Sequence, residues 1–125
     1  MKILSTRLHG TFDYLGGIFL IGAPWVFDFA RGGAETWVFI ACGALMLGAA
    51  LITDYECGVV PGLSMTQHLV LDGMLGLFLA ASPWLFGFSE FVYLPHLLIG
   101  LAETFAALLT DTVPQHHALL RERRV

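Results

Sequence analysis

The chain has 125 residues, of which 57% are hydrophobic and 13% are charged. Soluble domains carry roughly 25% charged residues, so the composition excludes an ordinary soluble domain and predicts a protein that resides in a lipid bilayer. The six Lys and Arg residues form no basic stripe, and we therefore expect no nucleic-acid partner.

The first predicted helix must extend beyond its uncharged core to cross a bilayer. The uncharged run from Tyr14 to Phe27 is shorter than the ~20 residues that a span requires. Extension to residues 9–29 gives 21 residues, about 30 Å at the helical rise. Asp13 then lies inside the predicted span, about one turn from its end.

Three more spans are predicted further along the chain. The stretch 36–53 is uncharged and carries Ala44 and Gly48, whose spacing predicts a close-packing face. Two later apolar stretches predict spans over 67–88 and 94–110. The predicted organisation is a first helical hairpin over 1–54, a cytoplasmic linker over 55–66, a second hairpin over 67–111 and a polar cytoplasmic tail over 112–125.

The two predicted hairpins are copies of each other. The first span aligns with the third at a constant offset of 59 residues, which matches His9 with His68 and Asp13 with Asp72. In the second helix of each hairpin the alignment continues at an offset of 57, where the Thr-Asp pairs at 53–54 and 110–111 coincide. Because two spans restore the direction of the chain, the copies are parallel repeats. The predicted fold is therefore all-α: a four-helix transmembrane bundle made of two tandem hairpins.

The distribution of basic residues predicts the orientation of this bundle. An even number of spans places both termini on one side, and the opposite side carries only Arg31. By the positive-inside rule we expect both termini in the cytoplasm. The basic residues on that side are Lys2, Arg7, Arg121, Arg123 and Arg124. We expect an aromatic belt at the outer interface, formed by Trp25, Phe27, Phe29, Trp37, Trp84, Phe86, Phe88 and Tyr93.

A short motif closes the first helix of each hairpin. It reads Ser82-Pro83-Trp84 in the second copy and Ala23-Pro24-Trp25 in the first. Over residues 9–111 the chain resembles the SPW-repeat family of small bacterial integral membrane proteins. The resemblance implies a location in the bacterial cytoplasmic membrane and the two-hairpin layout, and it implies no particular activity. Ala23 in place of Ser indicates that the Ser hydroxyl is not required in both halves.

Ionisable residues inside the spans are the candidates for a functional site, because such groups are costly in a bilayer. His9 and Asp13 are four residues apart, as are His68 and Asp72, so each pair shares one helix face. The hairpin connectivity brings the ends of the second and fourth helices to the same side. We therefore expect one cytoplasmic polar layer that contains His9, Asp13, His68, Asp72, Asp54 and Asp111.

Three hypotheses for this layer stay open. In the first, each Asp holds its neighbouring His or a helix terminus, and the layer joins the hairpins of a structural or partner-binding membrane unit. In the second, the layer handles protons or cations, as in a channel or transporter. In the third, a transition metal is bound, since imidazole and carboxylate suit Zn, Mn or Fe. The candidate ligands are His9, Asp13, His68 and Asp72, and no other cofactor is expected.

Glu103 is an acid that the repeat does not explain. At the offset of 57 it stands opposite Met46, and it lies eight residues before Asp111, ~12 Å deeper in the membrane. A carboxyl near the midplane either relays protons or makes a hydrogen bond between subunits. Four short helices leave little room for an internal pathway, so we expect a homo-oligomer, or another membrane protein as partner, within the lipid bilayer.

The sequence favours a protein without enzymatic activity. It contains no phosphate-binding loop, nucleophile elbow, CxxC or HExxH motif. His96, His116 and His117 fall at predicted helix ends or in the tail, where we expect them to be solvated.

Overall fold

The computed structural model describes residues 2–122. Arg123 and Arg124, which contribute to the predicted orientation, lie outside the described residues. Over the described range the chain is helical, with two isolated bridges and no strand. This confirms the predicted all-helical fold. The helices are α1 (Thr6–Val26), α2 (Ala34–Leu51), α3 (Met65–Leu85), α4 (Leu94–Leu109) and α5 (Gln115–Glu122).

Two of the described helices have the length and hydropathy of a membrane span. These are α2 and α3, with 18 and 21 residues. The fourth helix is apolar but shorter, with 16 residues. A crossing of the bilayer by all four helices of the two hairpins remains a prediction.

Serine caps mark the starts of α1 and α3, and α1 begins before the predicted span. Ser5 and Ser64 are equivalent in the repeat, and each side-chain oxygen accepts a backbone N–H of the first turn, from Leu8 and Gln67 respectively. Such caps satisfy amide groups that have no partner within the helix. The predicted start at residue 9 was therefore three residues late.

The prolines of the repeat motif lie inside their helices. Each helix continues for two residues beyond its proline. The Pro24 and Pro83 carbonyls each accept two backbone N–H groups from the following turn, at 2.9 and 3.1 Å. Asp28 and Gly87, equivalent in the repeat, have left-handed φ angles of 55° and 72°. A left-handed residue just after a helix reverses the chain, which is why the first and third helices end before residues 29 and 88.

Within each hairpin, two glycines bring the helix backbones into contact. A Cβ atom at Gly43 would lie 2.6 Å from the Gly17 carbonyl oxygen, and one at Gly76 would lie 2.6 Å from the Gly100 carbonyl oxygen. These pairs occupy equivalent positions, and they join α1 to α2 and α3 to α4. The predicted close-packing face around Gly48 joins no other helix of this chain, because no described atom lies within 4 Å of a Cβ placed there.

Short backbone pairings join the hairpins reciprocally. Leu4, before α1, pairs with Thr110, after α4, and Leu63, before α3, pairs with Thr53, after α2. The two pairings are equivalent in the repeat. They place the start of each hairpin beside the end of the other, and α2 packs against α3 between them. We call this side of the helices the terminal end and the opposite side the aromatic end.

The aromatic end exposes most, but not all, of the predicted belt. Six of the eight predicted members are 42–62% exposed: Trp25, Phe27, Trp37, Trp84, Phe86 and Tyr93. Phe29 is buried and Phe88 is half-buried, so both depart from the prediction. Their rings pack on His96, with centroid distances of 5.3 and 4.9 Å.

His96 is fully buried rather than solvated. The edge of the Phe39 ring packs against it, and its Nε2 donates to the backbone carbonyl of Glu35 at 3.0 Å. Because an imidazole is largely apolar when one N–H is satisfied, the surrounding phenyl rings can enclose it. His96 thus ties the start of α4 to the start of α2.

The predicted polar tail contains α5, which lies against the linker. The Glu56 carboxylate accepts the Thr6 hydroxyl at 2.7 Å and the backbone N–H groups of Gln115 and His116. Partial burial alone would raise the pKa of Glu56, but these hydrogen bonds outweigh burial and hold the pKa below its usual value. His117 contacts Asp54 at 3.1 Å, so the tail histidines are half-exposed rather than freely solvated.

The glycine contacts predict opposite effects for the same substitution at two sites on α2. Gly43→Ala should destabilise the fold by about 1–3 kcal/mol, because the new methyl group overlaps the backbone of α1. Gly48→Ala should be neutral or stabilise by up to about 1 kcal/mol, because the space is open and alanine favours the helix. Thermal unfolding in detergent measures both. Equal destabilisation by the two variants would contradict the packing described here.

Candidate functional site

Four side chains from the two hairpins meet near the terminal end, and we call them the tetrad. They are His9, Asp13, His68 and Asp72, each at most 2% exposed. The His9 Nε2 atom lies 3.0 Å from Asp72 Oδ2, and the His68 Nε2 atom lies 3.0 Å from Asp13 Oδ2. These contacts run between the hairpins. The tetrad therefore brings together the residues that the repeat predicts as equivalent.

Contacts within each helix complete the tetrad. The His68 Nε2 atom lies 3.0 Å from Asp72 Oδ2, and the His9 Nε2 atom lies 3.4 Å from Asp13 Oδ1. Each imidazole thus faces both carboxylates with the same nitrogen. The arrangement is therefore one convergent cluster of two imidazoles and two carboxylates.

Threonine hydroxyls fix the tautomer of both histidines. Thr53 Oγ1 donates to the Ala49 carbonyl at 2.6 Å, and Thr110 Oγ1 donates to the Ala106 carbonyl at 2.6 Å. Each hydroxyl has a single hydrogen, which is thereby committed. The Nδ1 atoms of His68 and His9, at 3.0 and 2.9 Å from these oxygens, must then be the donors.

Sequence reasoning missed both threonines and assigned their neighbours instead. Asp54 is 45% exposed and contacts the tail histidines, and Asp111 is exposed, so neither belongs to the tetrad. The chain is extended where Thr53 and Thr110 pair with the opposite hairpin, and successive side chains of extended backbone point in opposite directions. The threonine therefore faces inward and the aspartate outward. The repeated Thr-Asp pairs were the available signal.

Tyr55 covers one side of the tetrad and has no counterpart in the second hairpin. Its hydroxyl donates to Asp13 Oδ2 at 3.5 Å, and its ring centroid lies 5.5 Å from that of His68. The ring fits against Gly10, where a Cβ atom would overlap it. Burial and the nearby negative charge of Asp13 raise the pKa of Tyr55 above its usual range, so it acts as a neutral donor.

The Asp72 carboxylate has no equivalent of Tyr55 packed against it among the described residues. Asp72 Oδ1 is buried and has no hydrogen-bond partner among the described residues. At the offset of 57, the position equivalent to Tyr55 is Thr112, which is exposed. A buried carboxylate oxygen without a partner is energetically costly. It therefore marks a place where a further group can bind.

Two lateral grooves flank the tetrad at equivalent positions, and only one contains a further acid. The groove between α1 and α4 has a volume of about 390 Å³, and the groove between α2 and α3 has a volume of about 460 Å³. Glu103 and Gly16 line the first groove. In the repeat, Met46 is equivalent to Glu103, and Leu75 is equivalent to Gly16. The first groove is lined by His9, Phe12, Asp13, Leu15, Gly16, Phe19, Ala102, Glu103 and Ala106.

The tetrad requires protons or a cation between its nitrogen and oxygen atoms. Because each histidine donates from Nδ1, a neutral imidazole would turn its Nε2 lone pair towards carboxylate oxygens, which is repulsive. Two protons on the Nε2 atoms, or one divalent cation between the four side chains, both compensate the two carboxylate charges. A second group of potential metal ligands lies at the terminal end and consists of Asp54, His116 and His117.

The fold and the site define a class of small helical membrane proteins with tandem hairpins and a buried polar cluster. The family model of the SPW repeat domain matches residues 7–110. The chain therefore belongs to the SPW repeat family. No curated protein and no solved structure shows significant similarity to it.

The threonine contacts predict that Thr53→Val and Thr110→Val each destabilise the protein by about 1–3 kcal/mol, since a buried Nδ1–H loses its acceptor. Serine at either position should restore stability. Thr104→Val is the matched control, because Thr104 makes the same bond to a carbonyl one turn earlier, at 2.9 Å, without receiving a histidine N–H. Thermal unfolding in detergent is the measurement. Equal losses in all three valine variants would contradict the assigned role.

Proposed function

We propose that the chain is a structural membrane unit whose two SPW-repeat hairpins are joined within the bilayer by the tetrad. The observation that carries this proposal is that both ring nitrogens of each histidine contact the other hairpin: His9 contacts Asp72 and Thr110, and His68 contacts Asp13 and Thr53. Neither hairpin can satisfy its own histidine and aspartate completely. Association of the two hairpins supplies the missing hydrogen-bond partners.

The energetics of buried charge support this role. An ionisable group within a span costs roughly 2.5–3.5 kcal/mol on insertion scales, and each hairpin carries two such groups in the tetrad. With a proton on each Nε2, the contacts between hairpins become charge-assisted hydrogen bonds. Separation of the hairpins would leave each histidine with only the aspartate of its own helix and would remove the threonine acceptor of its Nδ1–H. The tetrad thus favours one relative placement of the hairpins over sliding or rotation.

The surface of this unit is suited to lipid and to other membrane proteins. Large apolar side chains are exposed along the helices, for example Leu15, Ile18, Leu45, Met74 and Phe105, at 58–63%. We place the unit in the bacterial cytoplasmic membrane as a multi-pass protein, with both termini in the cytoplasm. A homo-oligomer or another membrane protein would pack against this apolar surface. The role is non-enzymatic, since the tetrad side chains are buried against one another.

The test is a double-mutant cycle across the two hairpins. His9→Ala and Asp72→Ala should each destabilise the protein, and the double variant should lose less than the sum, with a coupling energy of about 1–3 kcal/mol. A second cycle with His96→Ala and Asp72→Ala is the control, because His96 lies at the aromatic end. That cycle should be additive within about 0.5 kcal/mol. Additive losses in the first cycle would refute the structural role.

A second candidate function is the passage of protons or cations along the groove between α1 and α4. The observation that favours it is the position of Glu103, which lines this groove together with His9 and Asp13. The Glu103 carboxyl lies beside Gly16, where a Cβ would stand at van der Waals distance, 3.5 Å from Oε1. The rim of the groove is formed by exposed aromatic and aliphatic side chains.

Reconstitution in liposomes tests this candidate. If it is correct, the wild type should dissipate an imposed proton or cation gradient, and Glu103→Met should not. Methionine is the matched replacement, because Met46 occupies the equivalent position and is accommodated there. Wild-type liposomes as tight as empty ones would eliminate this function and leave the structural role in place.

A further inference from the structure

We propose that the tetrad is a binding site for one divalent transition-metal ion of the Zn²⁺, Mn²⁺ or Fe²⁺ class. The inference deepens the proposed structural role and rests on it, because the ion would then join the two hairpins. The supporting observations are the direction of the Nε2 lone pairs, the spacing of the ligand atoms and the threonine hydroxyls that accept from the histidine Nδ1–H groups.

The histidines present the nitrogen that a metal requires. With Nδ1 committed as a donor to Thr53 or Thr110, each neutral imidazole has its lone pair on Nε2. Both Nε2 atoms point to the same small volume between the carboxylates. Neutral imidazole nitrogen and carboxylate oxygen are the ligands that this class of metal prefers.

The spacing of the ligand atoms fits one central ion. The Nε2–oxygen separations are 3.0 Å for the three contacts to Asp72 Oδ2 and Asp13 Oδ2, and 3.4 Å from His9 to the other Asp13 oxygen, Oδ1. Bonds of ~2.1 Å place neighbouring ligand atoms about 3.0 Å apart in an octahedron and about 3.4 Å apart in a tetrahedron. The His68 Nε2 atom is equidistant from two aspartate oxygens, and a single N–H cannot point at both. An ion at the centre satisfies both contacts at once.

The surroundings of the tetrad resemble the outer layer of a metal site. Metal-binding histidines donate their other ring N–H to an oxygen, which fixes the ring orientation. Here the acceptors are threonine hydroxyls, which are themselves anchored to the Ala49 and Ala106 carbonyls. Asp72 Oδ1 is buried and has no hydrogen-bond partner in the described part of the chain, so it is available as an additional ligand oxygen.

The charges also balance around a divalent ion. Two carboxylates and two neutral imidazoles carry a charge of −2, which one such ion cancels. A neutral site is the form that an apolar environment tolerates best. The ion has a route to the site, because His9 and Asp13 line the groove between α1 and α4.

The experiment must separate the tetrad from the ligand group at the terminal end. The full chain is purified in detergent, stripped with a chelator and titrated with Zn²⁺ by calorimetry and with Co²⁺ by visible absorption. Two double variants are measured beside the wild type. Asp13→Asn with Asp72→Asn removes both carboxylates but keeps the fold, because each Asn amide can donate to an Nε2 lone pair. His116→Ala with His117→Ala removes the tail ligands.

We expect one equivalent of metal in the wild type and in the His116/His117 variant, and none in the Asp13/Asp72 variant. Absence of binding to the wild type would overturn the inference, as would binding that survives in the Asp13/Asp72 variant. Binding lost only in the His116/His117 variant would assign the ion to the tail and overturn it equally. Absent binding with intact coupling between His9 and Asp72 would leave the structural role standing.

Two further double variants keep the inference testable if the Asp13/Asp72 variant fails to fold. Thr53→Val with Thr110→Val keeps all four ligands but removes the acceptors behind them. Loss of such outer contacts weakens metal binding 10–100-fold, and we expect a decrease of about that size here. Serine in place of both threonines should restore the affinity. Unchanged affinity in the valine variant would contradict the proposed coordination through Nε2.

Discussion

The structure depends on one constraint: four ionisable side chains are buried in apolar surroundings, and both ring nitrogens of each histidine find partners in the other hairpin. His9 needs Asp72 and Thr110, and His68 needs Asp13 and Thr53. Every one of these contacts crosses from one hairpin to the other. Apolar packing between membrane helices has little directional preference, so the relative placement of the hairpins is set by these polar contacts together with the backbone pairings beside them.

The duplicated halves share their framework and differ at the places where chemistry is possible. Glycine contacts, serine caps and proline-bonded helix ends recur at equivalent positions. Tyr55, Glu103 and Gly16 do not recur. The first covers one carboxylate of the tetrad, and the other two make one lateral groove acidic and open. The shared features hold the fold, and the unshared ones give its two sides different properties.

Sequence reasoning recovered what periodicity and duplication encode. The helical fold follows from uncharged runs, and the meeting of the four tetrad residues follows from the parallel repeat. The role of Thr53 and Thr110 was not predictable in this way, because a hydroxyl near a helix end has many ordinary uses. The burial of His96 was missed for a related reason: it depends on Phe29, Phe39 and Phe88, which converge only in the folded chain. Docking of α5 likewise depends on contacts distant in sequence.

The reciprocal pairings of Leu4 with Thr110 and of Leu63 with Thr53 have a consequence for the origin of the chain. Each hairpin offers the other the same surface that it receives, so a single hairpin is self-complementary. Two separate copies would meet by the same contacts around a twofold axis. The present chain then has the layout of such a dimer with its two halves joined in one polypeptide. Fusion removes the requirement that both halves be identical, and an acid such as Glu103 can be introduced on one side alone.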